Sequence, residues 1–271
     1  MKTLIVTDIE GVGGIFSLKQ SRQKTTATEE FFHYHQEARR LLTGETNAAV
    51  QGAIDGGCDD IIVWDAHQRG HNLVVEDLHP GARYIIGDGY RVFPIDGSFD
   101  AMAMVGMHAM ADTPNGLLEH TQGADVLFCS VNGVEMGEIG QFALVAGHYG
   151  VPVVFVSSDG ARCAEATKLL GDRTVTVTTK LGLAREAALL KAPELCRTLL
   201  RSGMKEAMAR VGDPAVRPYK LTPPYYVIWE TIADRTHMQS DEELTKGRTR
   251  FVTRHERVRD TVPYLDFRDP L

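Results

Sequence analysis

Three short and almost wholly apolar runs, Leu4-Ile5-Val6, Ile61-Ile62-Val63 and Met102-Ala103-Met104-Val105, each end within a few residues of a metal-type ligand. Apolar runs of this length, without polar alternation, suit strands covered on both faces, as in a parallel sheet. The segments that follow them are Asp8-Ile9-Glu10-Gly11, Asp65-Ala66-His67 and Gly106-Met107-His108. Polar residues at the carboxyl ends of such strands gather in one crevice, where open α/β sheets take their ligands. Met136-Gly137-Glu138 adds a fourth candidate at the start of a helical pattern.

The rest of the chain alternates strand and helix signals. A helix is expected over residues 28–55, capped by Thr28 and interrupted near Thr43-Gly44, with strands over 59–64 and 101–105. Residues 124–131 followed by Asn132-Gly133 and Val134 predict a strand, a two-residue turn and a return. Ile139, Phe142, Ala143, Val145 and Ala146 recur at helical spacing before Gly150 and Pro152. A buried strand over 151–156, a helix over 160–170 and a strand over 174–178 come next. The pattern predicts an α/β fold: a mostly parallel sheet with helices on both faces. Composition changes near residue 190. A helix over 193–211, a Pro-rich connector over 213–224, a strand over 225–232, a short polar helical stretch and a strand over 249–253 close the chain. Residues 1–190 are therefore expected to form a metal-binding catalytic α/β domain, and 191–271 a smaller C-terminal α+β subdomain.

Charge narrows the function classes. A net charge of −7 disfavours general binding of nucleic acid, which needs clustered cations. One basic stretch, Lys246, Arg248, Arg250, Arg254, Arg257 and Arg259, reads as a solvated face or subunit contact, or else an anion-attracting patch. No run approaches membrane-spanning length, and the opening residues lack the apolar core of a signal peptide, so cytoplasmic residence without a membrane partner is expected. Cys58, Cys129, Cys163 and Cys196 lack CxxC spacing and read as small core residues.

Asp8 and Glu10, two apart on extended backbone, point the same way. Two ionised carboxylates in contact oppose one another unless a cation lies between them. Taken alone, such a pair is equally a turn acid beside a solvated Glu, and Asp65-x-His67 is equally a capped strand end. The set of Asp8, Glu10, His67, His108 and Glu138 is harder to explain that way. Two histidines and three carboxylates suit zinc, with manganese or iron as substitutes, and exceed what one catalytic zinc needs. Two metals sharing a carboxylate is the simpler reading. Asp65 is placed to orient a metal-bound imidazole, and Asp159 to recognise a substrate amine. His33 and His35 read as solvated, and His71, His79 and His148 as supporting or capping groups. Two rivals stand beside this reading. A DxE on a first strand also opens the two-metal 3′–5′ exonucleases and other metal-dependent amidohydrolases or phosphoesterases, and Gly11-Val12-Gly13-Gly14 suggests a non-catalytic nucleotide- or metal-binding module.

The chain resembles the M55 family of bacterial D-aminopeptidases. The resemblance rests on Asp8-Ile9-Glu10-Gly11, Asp65-Ala66-His67 with Asn72-Leu73, Leu78-His79-Pro80, Gly106-Met107-His108-Ala109, Glu119-His120-Thr121, Asn132-Gly133 with Gly137-Glu138-Ile139-Gly140, and Leu221-Thr222-Pro223-Pro224. Each piece is short, and their order and spacing are specific. The resemblance implies a Rossmann-like core with a smaller second domain, and two zinc ions per subunit on Asp8, Glu10, His67, His108 and Glu138, with Asp8 bridging. It also implies a catalytic histidine at His120, a ring-shaped homo-oligomer (a homodecamer if it follows the family), and release of N-terminal D-residues such as D-alanine from short peptides.

Overall fold

The computed structural model describes residues 1–21, 29–87, 93–232 and 252–260. Along the chain come β1 (Lys2–Thr7), α1 (Leu18–Ser21), α2 (Glu29–Asp55), β2 (Asp60–Asp65), β3 (Arg83–Ile85), β4 (Ala101–Met107), β5 (Val126–Val131), β6 (Val134–Glu135) and α3 (Glu138–His148). Then follow β7 (Val153–Asp159), α4 (Gly160–Leu170), β8 (Val175–Ala184), β9 (Ala187–Leu190), α5 (Pro193–Ala209), β10 (Tyr225–Ile232) and β11 (Val252–Arg259). Among the described residues, one sheet runs in the order β3-β2-β1-β4-β7-β8-β9. All its neighbours are parallel except β9, which returns antiparallel on β8. The order turns back between β1 and β4, which makes their carboxyl ends the switch point where an α/β sheet opens a crevice.

Alternation along the strands explains why both faces are covered. Leu4, Val6, Met102 and Met104 pack with Trp64, Phe142 and Ala143 on the α3 side. Ile5, Ala103 and Val105 turn the other way, toward Leu42 and Ala49 of α2 and Leu200 and Met204 of α5. Successive residues serve opposite cores, so an unbroken apolar run is what these strands require. The expected α/β architecture is present.

A second, antiparallel sheet has the order β11-β10-β5-β6. Asn132 and Gly133 form its hairpin turn, both at positive φ (52° and 76°), the conformation an Asn-Gly turn favours. Elements from either side of residue 190 interleave: α5 packs in the α2 layer of the large sheet, while β10 joins β5 in the small one. The strand expected over 249–253 is described from Val252 and runs to Arg259, while residues 249–251, Thr28, the polar helical stretch, Lys246, Arg248 and Arg250 lie outside the described residues. Arg254 pairs with Glu230 at 3.3 Å and Glu256 at 2.9 Å, and Arg257 lies 5.3 Å from the Trp229 ring centre, so these cations are engaged within the chain. Among the described residues no helix is long and apolar enough to cross a membrane.

The break expected near Thr43-Gly44 does not occur: α2 runs unbroken from Glu29 to Asp55. Its glycines serve helix contact instead. A Cβ at Gly44 would lie 3.2 Å from Arg197 Cδ, and one at Gly52 would lie 2.4 Å from the Arg201 carbonyl oxygen and 2.9 Å from Met204 Cβ. Alanine normally stabilises a helix interior by about 1 kcal/mol over glycine. Here the backbone of α5 blocks it, and overpacking costs about 1–3 kcal/mol. Gly52→Ala is therefore expected to lower the urea midpoint, and a raised midpoint would show that the helices separate freely.

Candidate metal centre

The loops after β1 and β4 meet because glycine lets them. Asp8 N donates to Val105 O at 2.9 Å and Gly11 N to Gly106 O at 2.8 Å. A Cβ on Gly11 would stand 1.8 Å from Met107 O, and Gly106 holds φ at 74°. This close crossing brings Asp8, Glu10 and His108 together, all buried. β2 delivers buried His67 alongside, α3 opens with Glu138, and the loop between β4 and β5 carries His120. All six residues named from the sequence thus lie around one point.

Their spacing favours one of two accounts of the cluster. His67 Nε2 is 3.3 Å from Glu10 Oε1, and His108 Nε2 is 3.2 Å from Glu138 Oε1 and 3.5 Å from Asp8 Oδ2. Charge-assisted hydrogen bonds would draw such pairs to about 2.7–2.9 Å. Donors held tetrahedrally at about 2.1 Å from a zinc-sized ion stand about 3.4 Å apart. Ligand atoms of Asp8, Glu10 and His108 all fall within 4.8 Å of one another, as do those of His108, His120 and Glu138. Asp8 Oδ2 and Glu10 Oε2 are buried with no hydrogen-bond partner. Buried carboxylate oxygens do not persist without a proton or a cation, and the donor set present fits divalent cations.

Each imidazole is oriented by its other nitrogen. Nδ1 of His108 donates to Ala109 O at 2.9 Å, and Nδ1 of His120 to Leu118 O at 2.9 Å. His67 Nδ1 meets Asn72 Oδ1 at 3.1 Å. With Nδ1 engaged in all three, Nε2 is the nitrogen turned toward the centre, and it can ligate or accept once any proton on it has left. Asp65 does not touch His67 directly, as the sequence suggested. Its carboxylate accepts from Asn72 N and Asn72 Nδ2, both at 2.7 Å, and Asn72 passes the orientation on to His67. Gln122 N donates to Glu138 Oε1 at 2.6 Å, and this contact also escapes the sequence reading. Asn72 stands in the sequence only as part of the Asn72-Leu73 motif, and its task follows from an amide that can both donate and accept, seven residues beyond Asp65.

Electrostatics follow from burial and these neighbours. Burial and then Glu10 push Asp8 up to about 8. Burial acts to raise Glu10 and Glu138, but His67 holds Glu10 well below its usual range and His108 draws Glu138 down to about 2. Burial opposes the charge on His67 and His108, yet their carboxylates prevail and raise them to about 9 and about 10. Burial and then His108 lower His120 to about 4. Asp8, His67 and His108 thus hold protons at neutral pH that a metal must displace. Affinity should therefore rise with pH until about 10, where the last of these protons is lost, with about three protons released per chain at pH 7. Titration calorimetry in buffers of different ionisation enthalpy measures that release, and pH-independent uptake would contradict it.

Other candidates lie elsewhere. Asp159 does not face the crevice. It caps α4 by accepting from Arg162 N at 2.9 Å and fixes the His120 loop by accepting from Leu117 N at 3.1 Å. Its role in binding a substrate amine is withdrawn, because both oxygens are committed to backbone and the residue is fully buried. His79 Nδ1 accepts from Gly81 N and its Nε2 meets Gln51, against α2. His148 ends α3 beside Tyr149, and His33 is exposed. His35 is half-buried rather than solvated, within reach of the fields of Asp65 and His67.

Comparison with known proteins identifies the family. Residues 1–258 match the sequence profile of Peptidase M55, described as D-aminopeptidase. A D-aminopeptidase of Bacillus subtilis (strain 168) is 33% identical over 227 residues, covering 83% of this chain and 78% of that protein. A solved structure, the Zn-dependent D-aminopeptidase DppA from Bacillus subtilis, a self-compartmentalizing protease, superposes with a TM-score of 0.83 at 26% identity, over 97% of this chain and 93% of that one. With the profile spanning nearly its whole length, the chain belongs to the Peptidase M55 family of D-aminopeptidases and is a peptidase.

Proposed function

We propose that the chain is a dinuclear zinc aminopeptidase that releases N-terminal D-residues, D-alanine among them, from short peptides. The observation that carries this reading is the buried cluster itself: three oriented imidazoles, three carboxylates, and two carboxylate oxygens without partners. Glu10 and His67 would hold one ion and His108 and Glu138 the other, with Asp8, within 4.8 Å of ligand atoms of both Glu10 and His108, as the group they would share. When bound, two divalent ions supply a nucleophile from water at neutral pH and polarise the scissile carbonyl. His120 supplies the proton transfer. Its Nδ1–H is committed to Leu118 O, and its lowered pKa leaves Nε2 unprotonated, so it accepts a proton and passes it to the leaving amine. That commitment disfavours a role as an oxyanion donor.

The Bacillus relative is a self-compartmentalizing protease, and a ring-shaped homo-oligomer, decameric if it follows the family, is our reading for this chain too. β9 is an edge strand among the described residues, and Leu189 and Leu190 are exposed there beside Leu181 and Leu183 of β8. An apolar edge of this kind invites cover by another copy. Four buried free cysteines agree with residence in the reducing cytoplasm. The activity is tested by comparing D-Ala-D-Ala with L-Ala-L-Ala, before and after chelation and after zinc is returned. D-alanine release that is lost and restored supports the reading. Release from the L-peptide alone, or release indifferent to chelator, overturns it.

A further inference from the structure

A buried cation lies under the loop that carries Glu10. Lys180 of β8 is fully buried, and its Nζ donates to three carbonyls of that loop: Glu10 O at 2.5 Å, Val12 O at 2.8 Å and Ile15 O at 2.5 Å. All three ammonium protons are used. Its neighbour Thr179, equally buried, reaches Gly11 O at 2.9 Å through Oγ1. Four carbonyls of one short loop are thus held by two adjacent side chains of a strand about 170 residues away in sequence. The loop's amides are settled separately. Gly11 N goes to Gly106 O, Val12 N to Ile9 O and Gly13 N to Glu45 Oε1.

This arrangement is more than filler. Loop carbonyls turned inward at one point need a cation or several donors, since buried carbonyls left unmet are costly. A mobile metal ion or a water cluster could do the same task, but only a tethered ammonium fixes it permanently in register with the sheet. Because the Glu10 carbonyl is one of the three, the backbone that aims the Glu10 carboxylate at His67 is set by Lys180.

We propose that Lys180 is a positioning residue for the metal centre, its ammonium acting as a built-in cation that holds the Glu10 loop in the conformation that pairs Glu10 with His67. This rests on the two-metal reading above. Removing the ammonium should loosen the Glu10–His67 half of the centre and spare the half formed by His108 and Glu138, which other elements carry.

The variant is Lys180→Met, which keeps the aliphatic stem in its buried channel and removes only the charge and donors. It is compared with wild type and with Val50→Ala, a cavity on α2 at a buried residue that makes none of the loop's hydrogen bonds. Zinc per chain is measured by elemental analysis, affinity by chelator competition, and melting temperature on the chelated proteins. Lys180→Met is expected to fold, retain one ion at wild-type affinity and bind the other about 10- to 100-fold more weakly, the usual effect of losing a group that orients a ligand. Val50→Ala should keep both ions whatever its melting temperature. Two ions at wild-type affinity in Lys180→Met would overturn the proposal, as would equal weakening in Val50→Ala. A Lys180→Met chain that does not fold would also overturn it, by assigning Lys180 to global stability. A wild-type chain holding a single ion would instead overturn the two-metal reading, and the affinity comparison would then test Lys180 on that ion.

Discussion

Asp8→Asn is expected to abolish peptide hydrolysis, on the order of 10⁴-fold or more in kcat, because on the two-metal reading proposed above Asp8 would be the carboxylate shared by ions that supply both nucleophile and electrophile. The same change should make the chelated protein more stable. Burial and Glu10 raise Asp8 from 3.8 to about 8, so between those values the folded chain keeps a proton that the unfolded chain has released. Stability of the chelated wild type therefore falls as pH rises through that window, while Asn has no proton to lose. Asn also keeps the acceptor that Ile9 N uses at 2.8 Å. Thermal melts of chelated wild type and variant at pH 5 and pH 8 measure this, with the gap in the variant's favour wider at pH 8. Zinc retention with wild-type turnover would remove Asp8 from the centre.

His120→Ala should leave zinc in place and lower kcat by about 10²- to 10⁴-fold, with little change in KM, as expected for loss of a proton-transfer group. The prediction separates two roles the geometry brings close. The His120 ring stacks on His108, centres 3.7 Å apart and planes 10° from parallel, and its ligand atom falls in a cluster with His108 and Glu138. A ligand would take zinc with it when removed. A proton carrier would not. Loss of an ion in His120→Ala would therefore reassign His120 from chemistry to metal binding, and wild-type kcat would exclude it from both.

What could be read from the chain before its fold was known follows the range of the interaction. Residues 4–6, 61–63 and 102–105 announce buried strands because their cores are local consequences of alternation, and the ligands at their ends come with them. Asn132-Gly133 and Gly160–Leu170 are likewise written in adjacent residues. Long-range placements are not. Gly44 looks like a helix breaker until α5 is seen against it. Asp159 looks available until Leu117 N and Arg162 N claim it. Lys180 gives no signal at all, because its partners are carbonyls, which every residue has. The converging side chains were legible as a set; of the groups that hold them in place Asp65 was legible, while its action through Asn72 and the contacts of Gln122 and Lys180 were not.

The most direct test of the account is the metal content of the purified chain by elemental analysis, with release of D-alanine from D-Ala-D-Ala followed on the same sample before and after chelation. About two zinc ions per chain, with release that disappears on chelation, is the expected result. Full release from a chain that holds no metal, or that holds a single ion throughout, would contradict it.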